Sequence, residues 1–376
     1  MVKFQYEKRR GILKKIFLIV FTAAILMLFT ACQPFQTAKD KTEESKEPAT
    51  SGAADGELLV HYMDVGQADS TLLEFGEYAI LIDAGDWNST DAVDYLKAQQ
   101  IEKLDIVVGT HPDSDHIGQL GQIVEQFEVG EVWMSGNEST SNTFISTLEA
   151  IDATGTDYYE PRSGEIFDVG PLQLEILYPE EITGKANEES ISMKVTYGDI
   201  RFLFTGDAGI KEEQNMIDSG AELDAEILHL GHHGSNTSTS RAFLKAVSPE
   251  IAIYSAGSDN SYGHPHAEVI GSAENEGAEV YGTDVNGTIL LSTDGKTYDI
   301  ETEKDGVAVE GKNRCIDINL ASSAELQEID GIGPAFAEDI MMGRPFNSIE
   351  ELTEIKGIGQ GKLEDIKAQD LACIGE

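Results

Sequence analysis

Seven of the eight histidines fall in three short stretches, 111–116, 229–233 and 264–266, each at or beyond the end of an apolar run with a β-strand pattern. Core packing would spread histidines along strand interiors and would not gather them at strand ends. The first stretch is the densest. After Ile106-Val107-Val108 comes Thr110-His111-Pro112-Asp113-Ser114-Asp115-His116-Ile117-Gly118. Four candidate ligands, His111, Asp113, Asp115 and His116, therefore lie within six residues of one strand-to-helix loop. A helix cap needs one such side chain, not four. Carboxylate oxygens suit hard divalent cations, and imidazole suits zinc, iron and similar metals.

Two further segments extend the set. Phe202-Leu203-Phe204-Thr205-Gly206-Asp207 is an apolar strand that runs into an aspartate, whose carboxylate can bridge two ions. Leu228-His229-Leu230-Gly231-His232-His233-Gly234-Ser235 is another strand, ending in a histidine pair, and Tyr262-Gly263-His264-Pro265-His266 follows the strand Ile251–Tyr254. Other strand patterns cover Leu58–Met63, Ala79–Ile82, Leu172–Leu177, Arg201–Phe204 and Ile227–Leu230, with helical patterns at Asp91–Gln100 and Thr239–Val247. Gly or Asp turns join some strands directly, around Asp199 and at Asp294-Gly295. The mixture predicts sheets sandwiched between helices.

The His-x-Asp-x-Asp-His-x-Gly element, the Thr-Gly-Asp and the His-His-Gly-Ser resemble the metallo-β-lactamase superfamily. Asp64-Val65-Gly66-Gln67-Ala68-Asp69, Asp83-Ala84-Gly85, Asn187 with Ser190, and Asn260 to His266 narrow the resemblance to the hydrolase domain of ComEC-type competence proteins. The likeness spans about residues 57–300. It implies an α/β fold, an αββα sandwich, with two divalent metal ions, Zn or Mn, at the strand ends. Asp113 stands where the superfamily usually has a second histidine, which makes that pocket poorer in nitrogen and brings manganese in beside zinc. The family's middle histidine has no counterpart, because no histidine occurs between His116 and His229. The resemblance implies that His111 and Asp113 face one ion, that Asp115 and His116 face the other, and that Asp207 bridges. Either His233 or His264 completes the set; the other, with His232, is placed to protonate a leaving group or contact a phosphate. Asp83 is expected to orient the ligand loop through hydrogen bonds. Asp69 is either a substrate contact or a turn residue. Two such ions can activate a shared water and clamp the attacking and leaving oxygens of a phosphodiester. Cys315 and Cys373 lie outside these segments, which argues against a thiol nucleophile.

The N-terminus reads as an export signal, residues 1–31. Lys3, Lys8, Arg9, Arg10, Lys14 and Lys15 precede a charge-free apolar run of 16 residues, Ile16 to Ala31. That length suits a signal core better than a membrane span. Leu28-Phe29-Thr30-Ala31-Cys32 resembles a bacterial lipobox, with Cys32 as the lipidation site; an uncleaved anchor helix is the alternative. Arg9-Arg10 also resembles a twin-arginine signal, but the strongly apolar run argues for the general secretory route. Residues 32–56 lack hydrophobic periodicity and read as a flexible tether. These features predict a protein anchored by lipid to the extracellular face of a bacterial cell membrane.

A second unit is expected over residues 315–376, after a linker at 302–314. Ile329-Asp330-Gly331-Ile332-Gly333 recurs 26 residues later as Ile355-Lys356-Gly357-Ile358-Gly359. With Ile318-Asn319-Leu320-Ala321, Leu326, Phe346 and Leu352, this repeat resembles the paired helix-hairpin-helix module of ComEA-type DNA receptors. The resemblance implies phosphate contacts at the turns, through Gly331, Gly333, Gly357 and Gly359, with Lys356 and Lys362 flanking the second turn. The first turn has no basic residue nearby in sequence. Cys315 and Cys373 flank the unit and are candidates to pair outside the cell.

Charge cuts against the simplest function. The chain carries a formal net charge of -42, and the C-terminal unit holds 13 acidic residues against 4 basic ones. Such a surface repels nucleic acid at long range. Three readings stand: a surface phosphodiesterase acting on DNA and linked to DNA uptake, a phosphoesterase acting on a wall polymer or small phosphodiester, and a non-catalytic DNA-binding lipoprotein.

Overall fold

The computed structural model describes residues 56–258, 260–308, 316–327, 329, 331–346, 348–369 and 372–374. The export signal, Cys32 and most of the tether lie outside the described residues, as does Cys315. Fifteen strands build the larger body. They are β1 (Leu58–Tyr62), β2 (Thr71–Phe75), β3 (Tyr78–Ile82), β4 (Lys103–Gly109), β5 (Glu128–Met134), β6 (Asp157–Tyr159), β7 (Ile166–Val169), β8 (Leu172–Tyr178), β9 (Ser192–Tyr197), β10 (Ile200–Phe204), β11 (Ile227–His229), β12 (Ile251–Tyr254), β13 (Glu279–Gly282), β14 (Ile289–Thr293) and β15 (Tyr298–Thr302). One sheet runs β15-β14-β1-β2-β3-β4-β5-β6 and the other β13-β12-β11-β10-β9-β8-β7.

Period-two alternation explains the layering. Ile80 and Ile82 of β3 face a core shared with Phe202 and Phe204 of β10, so these residues fill the space between the sheets. Ala79 and Leu81 point the other way and meet helices α1 (Asp91–Ala98), α2 (Leu120–Gln126) and α3 (Asn142–Thr154) through Val93, Leu120, Ile123 and Phe144. On the far side, Leu203 and Leu228 meet α4 (Ile210–Ser219), α5 (Arg241–Val247) and α6 (Ala267–Asn275). Both faces of each sheet are therefore covered, as parallel pairing requires. Each fully buried Leu, Ile or Phe contributes about 1.5–3 kcal/mol. Ser141 and Ser240 cap α3 and α5 by accepting from the N–H groups of Phe144 and Phe243. A short helix, α7 (Thr283–Asn286), precedes β14, which returns to the first sheet and pairs antiparallel with β1.

Strands β3, β4, β5 and β6 are parallel, as are β10, β11, β12 and β13. The loops after β3, β4, β10, β11 and β12 carry every candidate ligand named above. The residues read as the start of a linker stay bonded to this body: Lys304 donates its N–H to Asn286 O, and Asn286 Nδ2 donates to Gly306 O.

The C-terminal unit contains α8 (Ser323–Leu326), α9 (Pro334–Gly343), a 3-10 turn at Ile349–Glu354 and α10 (Gln360–Ala368). Strands β16 (Ile316–Asp317) and β17 (Ala372–Cys373) close it in parallel, around a core that includes Leu326, Ile332, Ile340, Leu352 and Ile366. Cys373 is disulfide-bonded; its expected partner, Cys315, lies outside the described residues. Gly333 and Gly359 cap their helices at φ -84° and -85°, whereas the left-handed positions are Gly331 and Gly357, at φ +84° and +101°. The first turn does have a cation: Lys362, from α10, donates to Gly331 O at 2.9 Å and lies 5.1 Å above the Phe336 ring. Phe336 in turn packs against Gly357, so the two hairpin turns are tied to each other. Lys356 is exposed.

Candidate metal centre

The loop after β4 is held from below by Asp83. That residue ends β3 in a left-handed conformation, φ +58°, an arrangement that costs of order 1–3 kcal/mol and persists only where surroundings enforce it. Asp83 Oδ1 accepts the Thr110 N–H at 2.8 Å, and Oδ2 lies 2.8 Å from His116 Nδ1. The expected orienting role for Asp83 matches this geometry. With its Nδ1 committed to Asp83, His116 aims Nε2 at Asp207 Oδ1, 3.3 Å away. His111 is oriented in the same way by hydroxyls: Ser190 Oγ and Thr110 Oγ1 each lie 3.2 Å from its Nδ1. Its Nε2 faces Asp207 Oδ2 at 3.7 Å and Asp113 Oδ2 at 3.9 Å.

Ligand-type atoms of His111, His116 and Asp207 lie within 4.8 Å of one another, as do those of Asp115, His116 and His233. His233 Nε2 is 3.4 Å from Asp115 Oδ2, while its Nδ1 lies 3.0 Å from Ser255 O. The structure therefore groups His233, not His264, with Asp115 and His116. His264 sits at the rim, its Nδ1 3.3 Å from Gln67 Nε2 and its ring 5.7 Å from that of His232. His232 is partly exposed, and its Nε2 lies 3.4 Å from Asp207 Oδ2. His232 and His233 both have positive φ, 51° and 56°. Asp113 is half exposed, at the mouth.

Asp69 corrects both sequence readings. It is 3% exposed, 3.3 Å from His233 Nδ1 and 3.9 Å from both His229 Nε2 and His116 Nδ1. A carboxylate so placed supports the histidines from behind and cannot reach a substrate. Ser190 is the other contributor not read from sequence. Its hydroxyl accepts the Asp207 N–H at 3.1 Å and donates to Asn187 O at 2.7 Å, fixing both Asp207 and His111. Hydroxyls carry little sequence signal for such a task, although Ser190 lies in a segment that supports the family resemblance.

The buried charges are unbalanced. Burial lowers the His111 imidazole to about 3, helped by the neighbouring His116. Burial works against protonation of His116 too, but Asp207 and Asp83 outweigh it and raise that group well above its ordinary value. His233 is likewise raised against burial, to about 10, by Asp69 and Asp115. Asp207 is held far below the carboxylate range, burial notwithstanding, by His116 and His111. His111 Nε2, His116 Nε2 and Asp207 Oδ1 are buried with no hydrogen-bond partner. Buried polar atoms without partners cost about 1–3 kcal/mol each. His111 Nε2 faces one oxygen of Asp207 and His116 Nε2 the other, a donor set of imidazole nitrogens and a shared carboxylate that fits divalent cations.

Asp83→Asn tests the support of His116. Asparagine tolerates the left-handed backbone, so the change isolates loss of the acceptor at His116 Nδ1. Metal affinity is expected to fall about 10- to 100-fold, measured by competition with a chromophoric chelator; unchanged affinity would contradict the assigned role.

Comparison with known proteins agrees with the geometry. The metallo-beta-lactamase superfamily matches residues 63–258, and a helix-hairpin-helix motif matches residues 311–369. ComE operon protein 3 of Bacillus subtilis is 28% identical over 250 residues, covering 61% of this chain and 32% of that protein. Competence protein ComA of Neisseria gonorrhoeae is 31% identical over 238 residues, covering 62% and 32% respectively. The chain thus spans about a third of the length of these relatives. A deoxyribonuclease of Thioalkalivibrio is 55% identical over 60 residues, 16% of this chain and 17% of that one. From its fold, its ligand set and the extent of the match, this chain belongs to the metallo-beta-lactamase superfamily of metal-dependent hydrolases, is similar in that region to the competence proteins named above, and carries a helix-hairpin-helix motif at residues 311–369.

Proposed function

We propose that the protein is a metal-dependent phosphodiesterase that cleaves DNA, anchored through Cys32 at the extracellular face of the membrane and linked to DNA uptake. The observation that carries the chemistry is the convergence of three buried, unpartnered ligand atoms, on His111, His116 and Asp207. In this reading His111, Asp113 and Asp207 hold one ion, and Asp115, His116, His233 and Asp207 hold the second, Zn or Mn. Such ions, when bound, supply an activated water and neutralise charge on the phosphoryl oxygens. The chain's own groups then position and protonate. Asp83 orients His116, Ser190 orients His111, and Ser255 O, with the Asp69 charge beside it, orients His233. His232, partly exposed beside Asp207, is placed to give a proton to the leaving oxygen. Burial, then His233 and His232, push His264 down to about 4, so it is neutral at pH 7 and serves the phosphate as a hydrogen-bond donor.

DNA as substrate draws on the competence and deoxyribonuclease relatives and on the hairpin unit, whose linked turns would hold the strand through Gly331, Gly333, Gly357, Gly359, Lys356 and Lys362. The formal charge of -42 favours a second reading, a phosphoesterase for a wall polymer or small diester. Metal-free full-length protein resupplied with Mn²⁺ or Zn²⁺ should cleave single-stranded or duplex DNA and leave a poly(glycerol phosphate) intact. Cleavage of the polymer without cleavage of DNA would overturn the DNA reading and establish the second.

A further inference from the structure

Two large aromatic side chains stand open to solvent beside the metal centre. Trp87 is 60% exposed and Tyr262 is 69% exposed. Trp87 belongs to the segment after β3 that braces the ligand loop. Its N–H donates to Ser114 O at 3.1 Å, between Asp113 and Asp115. The segment is locked from several sides: Ala84 N–H donates to His116 O, Gly118 N–H to Gly85 O, and Gln119 Nε2 to Asp86 O. Gly118 packs so closely on this segment that a side chain there would lie 2.2 Å from Trp87 N. Tyr262 stands at the histidine side of the centre. Its ring stacks on His264 at 5.7 Å and 21°, and Asn260 Oδ1 accepts both the Tyr262 and His264 N–H groups. Both aromatics thus rest on fixed backbone next to residues of the centre, with their rings facing water.

We propose that Trp87 and Tyr262 form a stacking platform for the bases of single-stranded DNA, one ring beside each ligand loop. The inference deepens the DNA reading above and rests on it. Stacking on a neutral ring is indifferent to the charge of the protein, which matters on a chain with a net charge of -42 that cannot rely on long-range attraction of phosphates. Every base has a π-face, so such a platform holds a strand without reading its sequence. A duplex keeps its faces stacked internally, and a glycerol phosphate polymer has none to offer.

Binding is measured with Mn²⁺-loaded full-length protein and 12-nucleotide phosphorothioate strands, chosen to slow cleavage. The probes are oligothymidylate, an abasic strand of equal length and a duplex. Trp133 is 1% exposed, so quenching by a strand reports on Trp87. Oligothymidylate should quench the emission and bind at least fivefold more tightly than the abasic strand or the duplex. Read by the anisotropy of end-labelled strands, which does not depend on Trp87, Trp87→Ala and Tyr262→Ala should each weaken oligothymidylate binding about 5- to 150-fold, the equivalent of about 1–3 kcal/mol per lost stack. Trp87→Phe and Tyr262→Phe should restore most of it, and abasic binding should not change in any variant. Equal affinity for the abasic and base-bearing strands, or unchanged binding in the double alanine variant, would overturn the platform. Hydrolysis of bis-p-nitrophenyl phosphate by the same preparations separates the two claims: its absence from the unmodified protein would sink the phosphodiesterase reading, whatever the strands do.

Discussion

Replacing Asp207 with alanine is expected to lower phosphodiester hydrolysis by about 100- to 1,000-fold, the usual cost of removing one preorganised electrostatic element, and to reduce bound metal. Asp207 follows β10, is 4% exposed, and its two oxygens face three imidazoles: His116 at 3.3 Å, His232 at 3.4 Å and His111 at 3.7 Å. No other carboxylate among the described residues faces both His111 and His116 at such distances. Asp207→Asn keeps the shape and removes the charge, so it should lose nearly as much while folding as the parent does. Metal content by mass spectrometry and rates on a small diester check both variants. Parent-like metal content and rate in Asp207→Asn would mean that this carboxylate is not the bridge.

Adding metal to the metal-free protein is expected to raise the melting temperature of the sandwich by about 5–10 °C. At a free metal concentration of 100 times the dissociation constant, the linkage stabilises by about 2.7 kcal/mol, and about 2–4 °C accompanies each kcal/mol in a domain of this size. The rise should grow with pH. His116 and His233 serve as counter-charges to Asp207, Asp83, Asp69 and Asp115 when metal is absent, and both have folded-state values above the ordinary imidazole value near 6.5. Their contribution is complete below about pH 6.5 and is lost as pH climbs toward the raised values, about 10 for His233. Metal binding also requires deprotonated ligands, so its affinity increases over the same window. Calorimetry with and without chelator at pH 6, 7.5 and 9 reads the effect; a chelator-insensitive melting temperature at all three would contradict a metal at this site.

Much of the fold was legible because both sheets are covered on both faces. Continuous apolar runs such as Ile106-Val107-Val108 and Phe202-Leu203-Phe204 marked strands to within three residues at either end, and each ran into a ligand-type residue. Side chains at neighbouring strand ends share one edge of the fold, so the sequence clusters pointed to residues that the structure brings together: His111, His116 and Asp207, and Asp115, His116 and His233. Supporting residues were harder to read, because their partners are remote in the chain. Asp69 looks like a turn residue until the fold brings His229 and His233 to it across about 160 residues. The choice between His233 and His264 depended on the left-handed backbone at His233, which no residue pattern announces for a histidine. Lys362 was read as a cation for its own turn. The packing of α10 instead carries it to Gly331, 31 residues away, where its charge is partly satisfied by a carbonyl. Propensity locates turns, but tertiary packing decides which turn a long side chain serves.

On the proposed reading, residues behind the ligand imidazoles orient them, His232 and His264 at the rim serve the leaving group and phosphate, and Trp87 and Tyr262 take a strand. The measurement that tests this account most directly is hydrolysis of bis-p-nitrophenyl phosphate by chelator-stripped, full-length protein before and after addition of Mn²⁺ or Zn²⁺, with Asp207→Asn alongside. Negligible turnover without metal, recovery on adding it, and little recovery in the variant are expected. Equal turnover with and without metal, or full recovery in Asp207→Asn, would contradict it.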